Sequence, residues 1–197
     1  MSRDYYQVAL DRLTALIDEA RSRGSFEAEV AALATADVSA RPSVRMISIQ
    51  AVDAAGLLFF ANVRSGKGLQ ILANPQASLC FYWPALQEQA IIEGSVEVQS
   101  LAVSDQYWNR RMRAFQIAAW ASEQGTPAEE TKTDGNLIDQ QAGNFSSGKI
   151  LRQENWLAFR IVPYRIEFWP SGWHRRRERI KYQRDKEGAW SKEMLNP

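Results

Sequence analysis

The sequence predicts an α+β protein, mainly β, built on a closed or split β-barrel. Between residues 29 and 99, short runs rich in β-branched and aromatic residues alternate with turn clusters such as Asp53-Ala54-Ala55-Gly56. Strand character returns at residues 156–169 and continues beyond them, which gives seven or eight strands in total. Because most of these strands follow one another through short turns, we expect antiparallel pairing in a barrel.

The first half of the chain opens with one helix and continues with strands. Residues 4–23 place their apolar side chains on one face and their charges opposite, and Gly24 follows as a stop signal. Residues 65–73 have a serine cap and a terminating Asn74-Pro75, which predicts a short helix between two strands. The predicted strands of this half are Val30–Thr35, Val44–Val52, Leu57–Asn62, Ala77–Trp83 and Gln89–Val98.

The second half begins with a helical region and ends with strands. Residues 101–122 read as one or two helices, whereas residues 125–150 are crowded with small polar residues and predict a long, lid-like surface loop. A turn at residues 185–188 leads into a final short strand around Trp190. We expect residues 1–197 to form a single domain.

Composition excludes several classes of protein. A chain of 197 residues with 45% hydrophobic content can bury a proper core, and its net charge of +1 disfavours a broad polyanion-binding surface. Cys80 is the only cysteine, no apolar run reaches transmembrane length, and the amino terminus shows no signal-peptide pattern. We therefore expect a reduced, cytoplasmic protein with no membrane or nucleic-acid partner.

The densest positive charge lies between His174 and Tyr182. Arg175, Arg177, Arg179 and Lys181 recur at every second position, so a strand would point all four at one face. Such a row needs an anion, which by sequence is a nucleic-acid backbone, a phosphorylated small molecule or an acidic partner. A solvated edge strand that resists aggregation is the structural alternative. We expect Lys181 at the end of the row to be solvated.

Few side chains of the sequence suit direct catalysis. His174 is the only histidine and Cys80 the only cysteine, so neither a metal site nor a nucleophilic triad is expected. A chain without an obvious acid, base or nucleophile suggests that a cofactor supplies the reactivity. Arg45 on a strand and Lys67 at a helix start suit a phosphate.

Several of these motifs occur in one order in a known family. The run Arg41-Pro42-Ser43-Val44-Arg45-Met46, the Ser65-x-Lys67 helix start, the strand from Gln89 to Gly94, and Arg165-Ile166-Glu167-Phe168-Trp169 resemble the pyridoxamine 5'-phosphate oxidase family of FMN-binding split barrels. The resemblance covers about residues 28–197. It implies a homodimer with two FMN molecules bound in clefts between the subunits.

The resemblance also implies the residues that hold the cofactor. Arg45 and Lys67 would hold the FMN phosphate, and Gln89 would hydrogen-bond the flavin. Ala61 and Gly66 depart from the pattern, because a hydroxyl residue and a basic residue are common there. The full set implied for the cofactor is Arg45, Met46, Ile47, Ser48, Ile49, Gln50, Phe60, Ala61, Gly66, Lys67, Gln89, Gln124, Trp169 and Arg179, some of them from the neighbouring subunit.

On the substrate side the sequence departs further from the family. Gln50 stands in place of a lysine, Phe115 in place of a serine, and Arg177 in place of a histidine. Losing a cation and a hydroxyl from a phosphate pocket could cost several kcal/mol, at about 1.5 to 3 kcal/mol for each charge-assisted hydrogen bond. The implied substrate residues are Gln50, Tyr107, Arg111, Phe115, Arg175 and Arg177.

Four functional hypotheses follow. The first is an FMN-dependent oxidase of pyridoxamine or pyridoxine 5'-phosphate, with hydride passing to FMN and oxygen reoxidising it. The second is a related flavin oxidase for another flat anionic substrate of the phenazine type. The third is a flavin-binding or flavin-storing protein without turnover, or a small-ligand sensor, and the replaced substrate positions motivate it. Ordinary packing or solvated roles are the structural alternatives for Trp169, Tyr107 and Arg111. Nucleic-acid binding by the arginine row is the fourth.

Overall fold

The computed structural model describes residues 4–121, 143, 145, 148–170 and 179–196. Four helices and nine strands lie in these residues. In chain order they are α1 (Tyr5–Ser22), β1 (Val30–Ala36), β2 (Pro42–Ser48), β3 (Ala51–Asp53), β4 (Gly56–Asn62), α2 (Gly66–Ala73), β5 (Gln76–Trp83), β6 (Glu88–Val98), α3 (Leu101–Arg110), α4 (Arg113–Ala121), β7 (Trp156–Pro170), β8 (Arg179–Arg184) and β9 (Trp190–Leu195).

The nine strands form one sheet. Its main path runs β2-β1-β5-β6-β7-β4-β3, and β8 and β9 extend from β7. The pairs β1–β2, β1–β5, β3–β4, β5–β6, β7–β8 and β8–β9 are antiparallel, as expected for strands joined by short turns. Within the part of the chain that the structure describes, β2 and β3 at the two ends of this path are not paired with each other. The mainly β prediction is confirmed, and of the closed and split alternatives the open, split sheet is the one observed.

The helix α1 shows why the first residues are helical. Asp4 caps it, its carboxylate accepting from the backbone N–H groups of Tyr6 (3.1 Å) and Gln7 (3.2 Å). The chain leaves the helix at Gly24, which has a φ of 86°. The buried face is Ala9, Leu10, Leu13, Leu16, Ile17 and Ala20. Among the described helices α1 is the longest, at 18 residues, and none carries an apolar stretch that would span a bilayer.

The predicted strand from Val44 to Val52 is wrong in one respect, because the structure divides it into β2 and β3. The chain changes partners between them. The backbone N–H of Ile49 donates to Glu29 O at 3.0 Å, whereas that of Gln50 donates to Leu58 O at 2.8 Å. One segment therefore pairs first with β1 and then with β4, which hydropathy alone does not reveal.

The registers of β2, β1, β5 and β6 assign every side chain to one of two faces. One face carries Leu33, Leu79 and Ile92, which are fully buried and form the core. We call the other the open face, because its side chains are half-buried or exposed. It carries Val44, Met46, Ala32, Ala34, Ser78, Cys80, Tyr82, Gln89, Ile91 and Glu93.

The chain divides into two compact units. The larger comprises Met1–Phe59, Gln70–Glu97 and Phe159–Pro197, and the smaller comprises Phe60–Leu69 and Val98–Ala158. The core of the smaller unit is Trp108, Ile150 and Trp156, where the indole N–H of Trp108 donates to Ile150 O at 2.8 Å. The single-domain prediction remains a prediction. Most of the predicted loop at residues 125–150 lies outside the described residues.

Gly94 tests the tight packing of β6 against β7. A Cβ at this position would lie 2.4 Å from Val162 O, a backbone atom that cannot move aside. We therefore expect Gly94→Ala to lower the free energy of unfolding by about 1 to 3 kcal/mol, the usual cost of overpacking. Urea unfolding followed by circular dichroism would measure this.

The matched control is Gly66→Ala at the start of α2, where nothing lies within 4 Å of the added Cβ. Alanine also favours the helix over glycine, so we expect no loss of stability in this control. Equal stability of the Gly94→Ala variant and the wild type would contradict the described packing.

Candidate functional site

Arg45 lies in the larger unit, on the core face of β2, and neutral groups hold it in place. Its Nη1 donates to Thr35 Oγ1 at 2.7 Å and to Leu33 O at 3.1 Å, and its Nη2 donates to Gln70 Oε1 at 3.2 Å. Gln70 lies on α2 and also donates to Ser43 Oγ at 3.1 Å. The guanidinium is thus oriented by β1, β2 and α2 together.

The charge of Arg45 has no acidic partner among the residues that the structure describes. The side chain is half-buried, and this burial alone lowers the pKa of its guanidinium. A partly desolvated cation gains most from an anion that brings its own charge and acceptor oxygens. Arg45 therefore has the properties of an anion ligand that is oriented before the anion arrives.

The rest of β2 alternates between exposed and buried side chains. Met46, Ser48 and Gln50 are exposed, and Gln50 Nε2 donates to Ser48 Oγ at 3.0 Å. Ile47 and Ile49 are 9% and 3% exposed and belong to the core. The sequence expectation treated residues 46–50 alike, but the side chains of the two isoleucines face away from any ligand on the exposed side of β2.

The start of α2 lies in the smaller unit and is shaped by Ser65. Its hydroxyl accepts from the backbone N–H of Gly68 at 3.3 Å and donates to Asn62 O at 2.6 Å. The first turn of α2 carries no acidic residue, so the positive end of the helix is not neutralised there. Lys67 is half-buried in this turn, and the space around Gly66 is open.

Arg179 contacts both Trp169 and Glu167 in the larger unit. The Cζ of Arg179 lies 4.8 Å from the centroid of the Trp169 ring. Glu167 is 1% exposed and forms ion pairs with Arg179 at 2.5 Å and with Arg165 at 2.7 Å. Arg179 thus differs from Arg45, because a buried carboxylate already compensates its charge.

Residues from β6, β7 and β8 share the open face. Gln89 lies opposite the exposed Tyr82 in the β5–β6 register. Its side chain makes no hydrogen bond to another described residue. Arg165 pairs with Glu93 of the open face at 3.4 Å, so the alternate residue Trp169 points to that face as well.

The sequence prediction for Lys181 is wrong. A solvated charge was expected from its place in the arginine row, but its side chain is 18% exposed and pairs with Glu193 at 2.7 Å. The reason is the β8–β9 pairing, which sets the two residues directly opposite each other. The β9 partner was not visible in the charge pattern.

In the smaller unit, aromatic rings surround the predicted substrate residues. Phe60 stacks on Trp156 with centroids 4.4 Å apart and contacts Tyr107 at 5.0 Å. The Cζ of Arg111 lies 5.4 Å from the ring of Phe115 and 5.8 Å from that of Trp156. The structure therefore brings Phe60, Tyr107, Arg111 and Phe115 into one cluster with Trp156.

Arg111, like Arg45, has no acidic partner among the residues that the structure describes. Much of its surface is accessible, yet the neighbouring groups desolvate the guanidinium and lower its pKa. Because the side chain is exposed, a ligand can reach the charge. The arrangement offers one cation beside two aromatic rings.

Sequence reasoning missed three residues that organise these clusters, namely Gln70, Trp156 and Glu167. Gln70 follows Lys67 by one helical turn, and this spacing was the only signal that could have found it. Glu167 lies between Arg165 and Trp169 in a motif that was noted, but its burial could not be read there. The predicted site residues Gln124, Arg175 and Arg177, and also His174, lie outside the described residues.

Comparison with family models matches nearly the whole chain. Residues 17–143 match the model described as pyridoxamine 5'-phosphate oxidase. Residues 156–197 match the model described as the pyridoxine 5'-phosphate oxidase C-terminal dimerisation region. These C-terminal residues include β7, β8 and β9, which carry Trp169, Glu167 and Arg179.

Among solved structures, the chain is similar to PhzG from Burkholderia lata 383, which was crystallised in complex with tetrahydrophenazine-1-carboxylic acid. The TM-score is 0.86 at 26% identity, covering 95% of this chain and 90% of that one. A pyridoxamine 5'-phosphate oxidase-related, FMN-binding protein from Nostoc punctiforme shares the fold, with a TM-score of 0.75 at 21% identity. The match covers 95% of this chain and 96% of that one.

Curated relatives are more similar in sequence. A pyridoxine/pyridoxamine 5'-phosphate oxidase of Xanthomonas oryzae pv. oryzae is 39% identical over 98% of this chain and 99% of its own length. The enzyme of the same name from Maricaulis maris is 38% identical over 92% of this chain and 82% of its own length. With both family models and these relatives in agreement, the chain belongs to the pyridoxamine 5'-phosphate oxidase family.

Proposed function

We propose that this protein is an FMN-dependent oxidase in which a small anionic substrate passes a hydride to FMN and oxygen reoxidises the flavin. The observation that carries the proposal is Arg45, a half-buried cation held by Leu33, Thr35 and Gln70 with no acid among its described partners. Membership of the family supports the same reading.

The residues present fit FMN. In the larger unit, Arg45 offers a cation that suits the phosphate dianion. In the smaller unit, Lys67 and a first turn of α2 without acidic side chains suit the same kind of anion. Met46, Ser48 and Gln50 offer exposed side chains along β2, whereas Ile47 and Ile49 offer backbone only. The remaining proposed contacts are Phe60, Ala61, Gly66, Gln89, Gln124, Trp169 and Arg179.

When bound, FMN supplies the hydride acceptor, which oxygen returns to its oxidised form with release of hydrogen peroxide. The protein's own groups bind and orient the reactants. The side-chain amide of Gln89 is available to hydrogen-bond the cofactor, and the ring of Trp169 excludes water from one side. Arg111 holds the substrate anion beside an aromatic wall.

Two chains are needed to complete the site that we propose. Arg45 lies on the core face of β2, and Gln89, Trp169 and Arg179 lie on the open face. Three strand spacings, roughly 14 Å at about 4.8 Å each, also separate β2 from β6. A ligand that contacts Arg45 of one chain thus reaches Gln89 more readily from a second chain.

The open face supports the homodimer for a second reason. Val44, Met46 and Tyr82 on this face are 70%, 63% and 58% exposed. Ala32 and Ala34 lie between them and make the surface smooth enough for close contact. The face is continuous with β7, which begins the region matched to the dimerisation model. We propose that a second copy of the chain covers it.

The first candidate reaction is oxidation of pyridoxamine or pyridoxine 5'-phosphate, supported by the named relatives. For the amine, one molecule of substrate, oxygen and water yields the aldehyde, ammonia and hydrogen peroxide. Two electrons and a proton leave the carbon that bears nitrogen. Tyr107 and Arg111 would hold the phosphate, and Arg175 would lie over the reacting pyridine ring.

The second candidate substrate is a flat aromatic carboxylate, and the surroundings of Arg111 favour it. Phe115 and Trp156 both provide ring contacts to the guanidinium of Arg111, which suits a planar monoanion. The structural similarity to PhzG supports the same class. Gln50, Phe115 and Arg177 are the three departures that would distinguish this pocket from a phosphate pocket.

Arg45→Gln tests the proposed cofactor contact. Removing one charge-assisted hydrogen bond costs about 1.5 to 3 kcal/mol, so we expect FMN affinity to fall roughly tenfold to a hundredfold. Titration of the cofactor-free protein with FMN, followed by quenching of flavin fluorescence, measures the dissociation constant.

The matched control is Arg41→Gln, an exposed arginine immediately before β2. Its affinity for FMN should equal that of the wild type, and thermal unfolding should show both variants folded. Equal affinity of Arg45→Gln and the wild type would remove the observation on which the proposed function rests.

Phe115→Ser distinguishes the two candidate substrates. Loss of the ring should weaken the binding of an aromatic carboxylate about threefold to tenfold, the usual range for one aromatic contact. The new hydroxyl should strengthen the binding of pyridoxamine 5'-phosphate. Anaerobic bleaching of the flavin by each compound measures both effects, and Met112→Ser serves as a control at a neighbouring exposed position.

If the wild type prefers the carboxylate and the Phe115→Ser variant keeps the same preference, this role of the ring is contradicted. If neither compound bleaches bound flavin at millimolar concentration, turnover is absent and only flavin binding remains.

A further inference from the structure

Glu167 is a buried carboxylate that the proposed reaction does not use. It lies on β7 between Arg165 and Trp169 and points to the open face, yet its side chain is 1% exposed. Guanidinium groups cover both of its oxygens. Oε1 accepts from Nε and Nη2 of Arg179 at 2.6 and 2.5 Å, and Oε2 accepts from Nη2 of Arg165 at 2.7 Å.

The contact with Glu167 fixes the plane of the Arg179 guanidinium. Two of its nitrogens share one carboxylate oxygen, while Cζ lies 4.8 Å from the centroid of Trp169. A free arginine side chain samples many rotamers, but a charge-assisted pair and a ring contact together leave few of them. The guanidinium is therefore held over the indole before any ligand binds.

Other ion pairs on this face do not replace Glu167. Lys181 pairs with Glu193 across the β8–β9 ladder, and Arg165 has a second acid in Glu93 at 3.4 Å. Among the described residues, Glu167 is the acid that contacts Arg179. Its removal would leave the Arg179 charge without compensation and free its side chain.

We infer that Glu167 is a positioning residue that holds the Arg179 guanidinium against Trp169 and compensates its charge. Arg179 and Trp169 are thereby oriented to contact bound flavin before it arrives. The inference rests on the proposed function, because Trp169 and Arg179 face a flavin only there. Glu167 itself does not contact the cofactor. It acts by setting the direction and the net charge of a neighbour that does.

The first test uses the cofactor-free protein and measures positioning alone. With ¹⁵N-labelled arginine, the Nε–H signal of Arg179 is assigned by its loss in Arg179→Lys. Its hydrogen exchange should be slow in the wild type and at least about tenfold faster in Glu167→Gln. Glu193→Gln removes the more exposed acid that pairs with Lys181 and should leave this signal unchanged.

The second test measures the affinities of oxidised and reduced FMN for the same proteins. An uncompensated guanidinium stabilises the more negative reduced flavin, so the ratio of the two dissociation constants in Glu167→Gln should shift about threefold or more toward reduced FMN. Glu193→Gln should keep the wild-type ratio. If Glu167→Gln does not fold, Glu167→Asp keeps the charge and should show fast exchange with an unchanged ratio.

The outcomes separate the inference from the proposed function. Unchanged exchange in Glu167→Gln overturns the positioning role, and changed exchange with an unchanged ratio overturns its effect on the flavin. A wild type that binds no FMN overturns the proposed function and the flavin half of the inference, while its exchange data still decide the contact between Glu167 and Arg179.

Discussion

The alternation of side chains across one antiparallel sheet is the constraint on which the rest of the structure depends. The register of β2, β1, β5 and β6 puts Arg45 with the buried Leu33 and sends Gln89 to the opposite face. A slip of one residue in β2 would exchange the two faces and bury Met46 in place of Arg45. The strand register that builds the core therefore also determines which side chains of one chain lie on the same face and can contact the same ligand.

Two kinds of cation result from this arrangement. Arg45 and Arg111 are partly desolvated and lack an acidic partner in the described part of the chain, so a bound anion would compensate the charge of each guanidinium. Arg179 and Lys181 already have carboxylates beside them and serve to hold side chains in place. The arginine row is thus not one anion-binding strip. Its described members belong to a balanced network on the open face.

The sequence was sufficient for most of the strands, for the helices and for the family, because period-2 alternation, caps and motif order are local signals. It could not reveal that β2 and β3 separate at Ile49, since only the partner strands decide where a ladder ends. It identified Arg45 and Arg111 but not Gln70, Trp156 or Glu167, whose importance lies in contacts with residues distant in sequence. Lys181 was misread for the same reason.

The central claim is that Arg45 of one chain and Gln89 of its partner serve the same FMN. It is tested by co-expressing Arg45→Gln and Gln89→Ala chains with different tags and isolating the mixed dimer. In our account one of its two sites is intact, so it binds one FMN per dimer with wild-type affinity, whereas each homodimeric variant binds both molecules weakly. A mixed dimer with two equally weakened sites and no site of wild-type affinity would contradict the account.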